Sequence, residues 1–273
     1  MRILILLVCL MRLAHGDPRI LEQKNIGAYA CGPCSIINQV LLSTPAERAG
    51  YEKIPGKTAA GKARTIIEKY AQRPSITYGD NKPTMRKTGI NWADMTHLAN
   101  WVRKDVGLPV LKGSYLRRIP PEGGVSHVQR IHKIFKDSID GGVLPIINFV
   151  SQTTYQDPDT DEWLWGSLMG HLCTLMEVQE KLSKNEQGFR FRYADPQTGN
   201  IETGYLHFSG ARNFAAFDGD PVNGKWSKHR PFLLVAAPAL KMQTGNENWH
   251  IRTEIVMNYA IYLEKKDAFF EED

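Results

Sequence analysis

The feature that most restricts the fold is a change of hydrophobic period near Gly141-Gly142. Upstream, apolar residues recur at helical spacing. Ile36, Ile37, Val40 and Leu41 form one such set, and Trp92, Met95, Leu98 and Val102 form another. Spacing of this kind lays an apolar stripe along one side of an α-helix. Downstream the chain breaks into short runs rich in β-branched and aromatic residues, namely Val143–Val150, Leu172–Val178, Phe189–Ala194, Glu202–Leu206 and Phe232–Ala236. Runs of that length bounded by turn residues read as strands. Helices first and strands later predict an α+β fold, with a helical N-terminal half packed on an antiparallel sheet and a cleft between the two.

Punctuation refines this outline. A buried helix is expected from about Cys31. Thr44-Pro45 is a helix start, with threonine as cap and proline in the first turn. A helix over 57–72 ends before Pro74, residues 75–90 are rich in turn formers, and helices are expected over Asn91–Lys104 and Ser126–Ile139. Pro145 marks the beginning of a strand or a sheet edge. Residues 17–30 read as an irregular lead-in, Phe208–Phe217 as a short helix, and Trp249–Leu263 as a closing helix. One domain over 17–273 results, with a helical part at about 31–140, a sheet part at about 143–240 and a C-terminal helix at 249–263.

The first sixteen residues have a different character. Arg2 precedes a short apolar run, Ile3–Met11, and Ala14-His15-Gly16 puts small residues where a signal peptidase reads. Residues 1–16 are therefore expected to be a signal peptide, cut before Asp17, and the protein is expected to be secreted or periplasmic. The run is too short to span a bilayer. A buried N-terminal strand and an uncleaved anchor are the competing readings. Losing Arg2 and Arg12 lowers the net charge from +5 to +3, spread along the chain, which gives no footprint for nucleic acid. Hydrophobic residues at 42% and charged residues at 23% exclude a disordered or fibrous chain. Cys9 leaves with the leader. Cys31, Cys34 and Cys173 remain, an odd number that suggests a free, reactive thiol in an exported protein.

Three motifs carry chemistry. Tyr29-Ala30-Cys31-Gly32-Pro33-Cys34-Ser35 puts a cysteine at a helix N-terminus, where the dipole and free N–H groups favour the thiolate. Gly32 is expected to let a substrate carbonyl approach the backbone, and the Cys31 N–H to help hold an oxyanion. Gly170-His171 opens a strand in which Cys173 shares the histidine's face. Asp195-Pro196-Gln197-Thr198-Gly199 ends the next strand in a turn. Each has a plain structural reading, as buried cysteines, a core histidine and an ordinary turn.

Together, in the order Cys, His, Asp, they resemble the papain-like cysteine peptidase superfamily. They are most similar to its bacteriocin-processing, double-glycine branch, with Cys31-Gly32-Pro33-Cys34-Ser35, Gly170-His171 and Asp195-Pro196 as the matching elements over about residues 25–200. The resemblance implies a papain-like fold and a hydrolase of peptide or amide bonds. It also implies that Cys31 is the nucleophile, His171 the base and Asp195 the orienting carboxylate, with no metal or cofactor needed. In papain itself the second cysteine of the motif attacks, which would choose Cys34, but Ser35 stands where papain has tryptophan. The branch carries a glutamine about six residues before the nucleophile to complete the oxyanion hole. Here Asn25 stands six before Cys31 and Gln23 eight before.

Other readings compete. Cys31-Gly-Pro-Cys34 is also a thiol–disulfide oxidoreductase motif, although no apolar strand leads into it. Cys31, Cys34, His171 and Cys173 form a possible zinc set. A papain-like shell that binds without cutting is a third alternative. His127 and His132, five apart on a helix, do not share a face. Gly56-Lys-Thr-Ala-Ala-Gly61-Lys62 falls short of a phosphate loop because Ala63 follows. Trp163 and Trp165 are expected to cap the edge of the core, or else to line a groove. Substrate preference and oligomeric state have no signature in the sequence.

Overall fold

The computed structural model describes residues 20–77, 79–87, 89–156, 159–208, 210, 213–216, 228–242 and 252–265. Five α-helices lie in the first half: α1 (Cys31–Leu42), α2 (Pro45–Lys53), α3 (Ala59–Lys69), α4 (Trp92–Asp105) and α5 (Gly124–Asp140). Two of them start on side-chain caps. Thr58 Oγ1 accepts the Gly61 N–H at 3.0 Å, and Asn91 Oδ1 accepts the Asp94 N–H at 2.9 Å. Thr44, expected as the cap of α2, makes no side-chain capping bond, and Pro45 alone marks the start. The expected signal peptide, residues 1–16, lies outside the described residues.

The sheet has seven antiparallel strands: β1 (Lys112–Tyr115), β2 (Ile146–Gln156), β3 (Trp163–Val178), β4 (Gly188–Asp195), β5 (Asn200–Phe208), β6 (Leu233–Ala236) and β7 (Thr253–Tyr262). The order is β6-β5-β4-β3-β2-β7-β1. β6 also pairs with β7, Leu233 opposite Met257 and Leu234 opposite Val256, so six of the strands close into a ring of pairings. Alternation then assigns the two faces. Leu172 and Ile146 pack against α1 and α4 with Ile36, Val40, Met95 and Leu98. Ile147, Phe149, Cys173, Phe191 and Tyr193 pack against Val128, Ile131 and Phe135 of α5.

Several expectations need correction. The closing helix at 249–263 is a strand over its described part, because β7 fills the gap between β2 and β6. Its run Ile255-Val256-Met257 carries strand formers, and register with three neighbouring strands, β1, β2 and β6, outweighs the weak helical spacing. The sheet part extends beyond 143–240, to β1 before it and β7 after it. The short helix expected over Phe208–Phe217 is also absent among its described residues, where Phe214–Ala216 pairs with Lys228–Arg230 as a ribbon. Pro145 marks a strand start and not an edge, since β2 begins at Ile146 and runs between β3 and β7.

The helical layer is locked by a buried ion pair. Both terminal guanidinium nitrogens of Arg103 donate to Glu47, Nη1 to Oε2 at 2.7 Å and Nη2 to Oε1 at 2.8 Å, and Nε donates to the Pro109 carbonyl at 2.6 Å. The Arg103 side chain is 0% exposed. A second buried carboxylate, Asp94, ties the lead-in of α4 to residues 75–77 by accepting from Ser75 Oγ at 2.6 Å and from the Ile76 N–H at 2.8 Å. Asn91→Ala removes the cap that shares this network. It is expected to cost about 1–2 kcal/mol, read as a lower Tm.

Candidate active site

The site is built where β3 outruns β4. Pairing between these strands begins at Thr174 opposite Ala194, so the preceding residues of β3 have no β4 partner. The N-terminus of α1 meets that unpaired stretch. Ser35 Oγ donates to the Leu172 carbonyl at 3.0 Å, Thr174 Oγ1 donates to the Ser35 carbonyl at 3.1 Å, and the Cys31 sulfur takes the Leu172 N–H. Cys31 and Ser35 are one helical turn apart and grip the same residue of the strand. Ser35→Ala leaves a buried carbonyl unpaired and is expected to cost about 1–3 kcal/mol. It should also slow alkylation of Cys31, measured by iodoacetamide labelling.

His171 lies on this stretch. Its Nε2 meets Asp195 Oδ1 at 2.7 Å, and its ring is in hydrogen-bond contact with both Cys31 and Cys173. Asp195 ends β4 as expected, and the turn after it holds the carboxylate in place. The Gln197 N–H donates to Asp195 Oδ1 at 2.7 Å, and Gly199, at φ +72°, donates its N–H to the Asp195 carbonyl at 2.9 Å. His171, by contrast, sits in the middle of β3 and not at a strand start. It is buried and not among the residues that line the cleft, and the missing β4 pairing, which spacing along the chain does not reveal, leaves its stretch of strand to the N-terminus of α1.

Electrostatics separate the three thiols. Burial opposes ionisation of Cys31, but the hydrogen bond and positive charge of His171, with the N–H groups of Leu172 and Gly32, outweigh it and hold its pKa below the ordinary value. Burial pushes Cys34 up to about 12, and pushes Cys173 up to about 12 as well. Burial also works against a charged His171. The negative charge that Cys173 would carry, and hydrogen bonds to Asp195, Cys173 and Cys31, raise it well above its ordinary value. Because Cys173 remains a neutral thiol near pH 7, the Asp195 and Cys31 contacts are the effective ones. Cys31 is part-exposed, whereas Cys34 and Cys173 are buried.

Cys31 opens onto a cleft of about 340 Å³ between the helical layer and the sheet. Asn148 and Asn258 form its floor, the first donating through Nδ2 to the Oδ1 of the second at 2.8 Å. Ile90, Trp92 and Tyr29 line it from the helical side. Trp92 is braced by Tyr115 at 4.6 Å between ring centroids and by Tyr259 at 5.1 Å. The two floor asparagines carry a signal in the sequence. Each is a lone amide inside an otherwise apolar strand run.

Some expected site residues sit differently. Gly32 is buried. A Cβ there would lie 2.8 Å from Ile90 Cγ2 and 3.0 Å from Met95 Sδ, so this glycine serves close packing and not substrate approach. Gly32→Ala is expected to cost about 1–3 kcal/mol by overpacking, measured by chemical denaturation. Gln23 and Asn25 lie in a single 3-10 turn within the expected irregular lead-in to Cys31. The Gln23 N–H donates to the Pro196 carbonyl at 2.7 Å, beside Asp195, and its Oε1 is buried without a hydrogen-bond partner. Asn25 is exposed, and its carbonyl takes Arg64 Nη2 at 2.7 Å. Trp165 packs on Phe214 at 4.9 Å, Trp163 is 51% exposed, and the described lining of the cleft includes neither.

What the site shows, then, is a part-exposed thiol held by an imidazole that a buried carboxylate orients. Comparison with protein-family models, curated proteins and solved structures finds no match to this chain.

Proposed function

We propose that the protein is a papain-like cysteine hydrolase of peptide or amide bonds, acting outside the cytoplasm. One observation carries the reading: of the three described cysteines, Cys31 alone combines a lowered pKa, contact with His171 and access to a cleft. His171 takes the Cys31 proton, giving a thiolate–imidazolium pair. The thiolate attacks an amide carbonyl, and the Cys31 N–H at the start of α1 is the backbone donor for the developing oxyanion. His171 then protonates the leaving amine, and water releases the acyl group. Asp195 orients the ring throughout. Of the two candidate amides, Gln23, whose backbone N–H is anchored to the Pro196 carbonyl, is favoured as oxyanion donor over the exposed Asn25.

The oxidoreductase alternative fits less well. It needs Cys34 to resolve a mixed disulfide, and Cys34 is fully buried behind Cys31.

The test pairs an epoxysuccinyl-peptide probe with a complex peptide mixture analysed by mass spectrometry. One probe adduct at Cys31, together with new amide cleavages that Cys31→Ala abolishes, is the expected result. Equal, slow modification of all three cysteines with no cleavage would overturn the assignment.

A further inference from the structure

The cleft beside Cys31 has a polar floor that the mechanism does not use. Asn148 and Asn258 come from the neighbouring strands β2 and β7 and are 7% and 9% exposed. Their mutual hydrogen bond, from Asn148 Nδ2 to Asn258 Oδ1 at 2.8 Å, uses one donor and one acceptor. Each asparagine side chain carries a carbonyl oxygen and two N–H donors, so the bond leaves capacity over. The Asn148 carbonyl oxygen and the Asn258 amide nitrogen take no other hydrogen bond among the described residues, and both asparagines line the cleft. Gly170 keeps the floor uncovered. A Cβ there would stand 3.3 Å from Asn148 Oδ1. Ile90, Trp92 and Val150 give the same cleft apolar walls.

We propose that this floor is a specificity pocket for a neutral carboxamide, the side chain of a glutamine or asparagine residue in the substrate. A carboxamide donates an N–H to Asn148 Oδ1 and accepts from Asn258 Nδ2, while its methylene stem lies against the apolar walls. An apolar side chain of the same size leaves both floor groups unpaired, and sites built to hydrogen-bond reject such analogues strongly. A carboxylate sets a negative charge against the Asn148 oxygen with no buried cation to offset it, since Arg86, the basic residue of the described lining, is exposed. At about 340 Å³ the cleft is at the small end of ligand pockets and suits one side chain with its backbone. That this preference selects the bond to be cut rests on the hydrolase reading, whereas carboxamide binding beside Cys31 does not.

The experiment compares rates of Cys31 alkylation in the full-length protein, followed by mass spectrometry. The probes are N-chloroacetyl N-methylamides and acetyl vinyl sulfones of glutamine, leucine and glutamate, which put the side chain on either side of the reactive carbon. In at least one series the glutamine probe should react at least about 10-fold faster than the leucine and glutamate probes. Asn258→Asp keeps an acceptor for Asn148 Nδ2 and removes the free donor, so the ratio of glutamine to leucine rates should fall about 10-fold. Ratios cancel any change in the reactivity of the thiol itself. Equal glutamine and leucine rates in both series of the unmodified chain would overturn the proposal, with no variant needed. So would a ratio that survives in Asn258→Asp, or a glutamate probe that reacts fastest, which would give the recognition to Arg86. A chain that shows the glutamine preference but cleaves no peptide containing glutamine or asparagine would sink the hydrolase reading alone.

Discussion

His171→Ala is expected to slow iodoacetamide labelling of Cys31 at pH 6 by about 100-fold, because the thiol returns to an ordinary or higher pKa and its thiolate nearly vanishes there. The pH profile makes the test sharper. In the unmodified protein the lowered pKa of Cys31 and the raised pKa of His171 define a window in which both groups are charged. The depressed Cys31 pKa contributes stability present above the ordinary value of 9.0, which is lost as pH falls through the folded pKa. The raised His171 pKa contributes stability that is full below the ordinary 6.5 and is lost as pH rises through the folded value. Labelling should therefore rise at lower pH in the native chain than in His171→Ala, and the two rates should converge in alkaline solution. A single rise at the same pH in both proteins would remove the thiolate–imidazolium pair from the mechanism.

Glu47→Gln is expected to destabilise the fold by about 3–5 kcal/mol, measured by urea unfolding, since it strands a buried guanidinium. The Arg103 side chain is 0% exposed, and Gln39 Oε1 at 3.5 Å cannot replace a carboxylate that accepts from both Nη atoms. The double variant Glu47→Leu/Arg103→Met should recover much of the loss, because an apolar pair leaves no charge to solvate. A cost under about 1 kcal/mol for Glu47→Gln would mean that water reaches the pair, as at an exposed salt bridge. Cys31 labelling should be unaffected in molecules that remain folded, because this pair braces α2 and α4 and touches none of the thiols.

Local chemistry was enough for much of the architecture. The stripe Trp92-Met95-Leu98-Val102, the Asn91 cap and the glycines after Asp140 delimit helices through interactions within a few residues, so they can be read in one dimension. The strand runs expected over 143–150, 172–178, 189–194, 202–206 and 232–236 were legible for the same reason, and with them the α+β class. The reactive-cysteine motif and the Asp195 turn were legible too, because a helix N-terminus and an Asp-Pro-x-x-Gly turn are local objects. Contacts far apart along the chain decided the remainder. Residues 253–262 became a strand because three neighbouring strands offered them register, although their spacing also suits a helix. His171 has no β4 pairing because that pairing begins only at Thr174, and a strand's partner is not written in the strand. Asn148 and Asn258, 110 residues apart, became one cleft floor only when β2 and β7 paired. The choice among Cys31, Cys34 and Cys173 was likewise tertiary. Burial sets the pKa of a thiol as strongly as its motif does, and burial belongs to the folded chain.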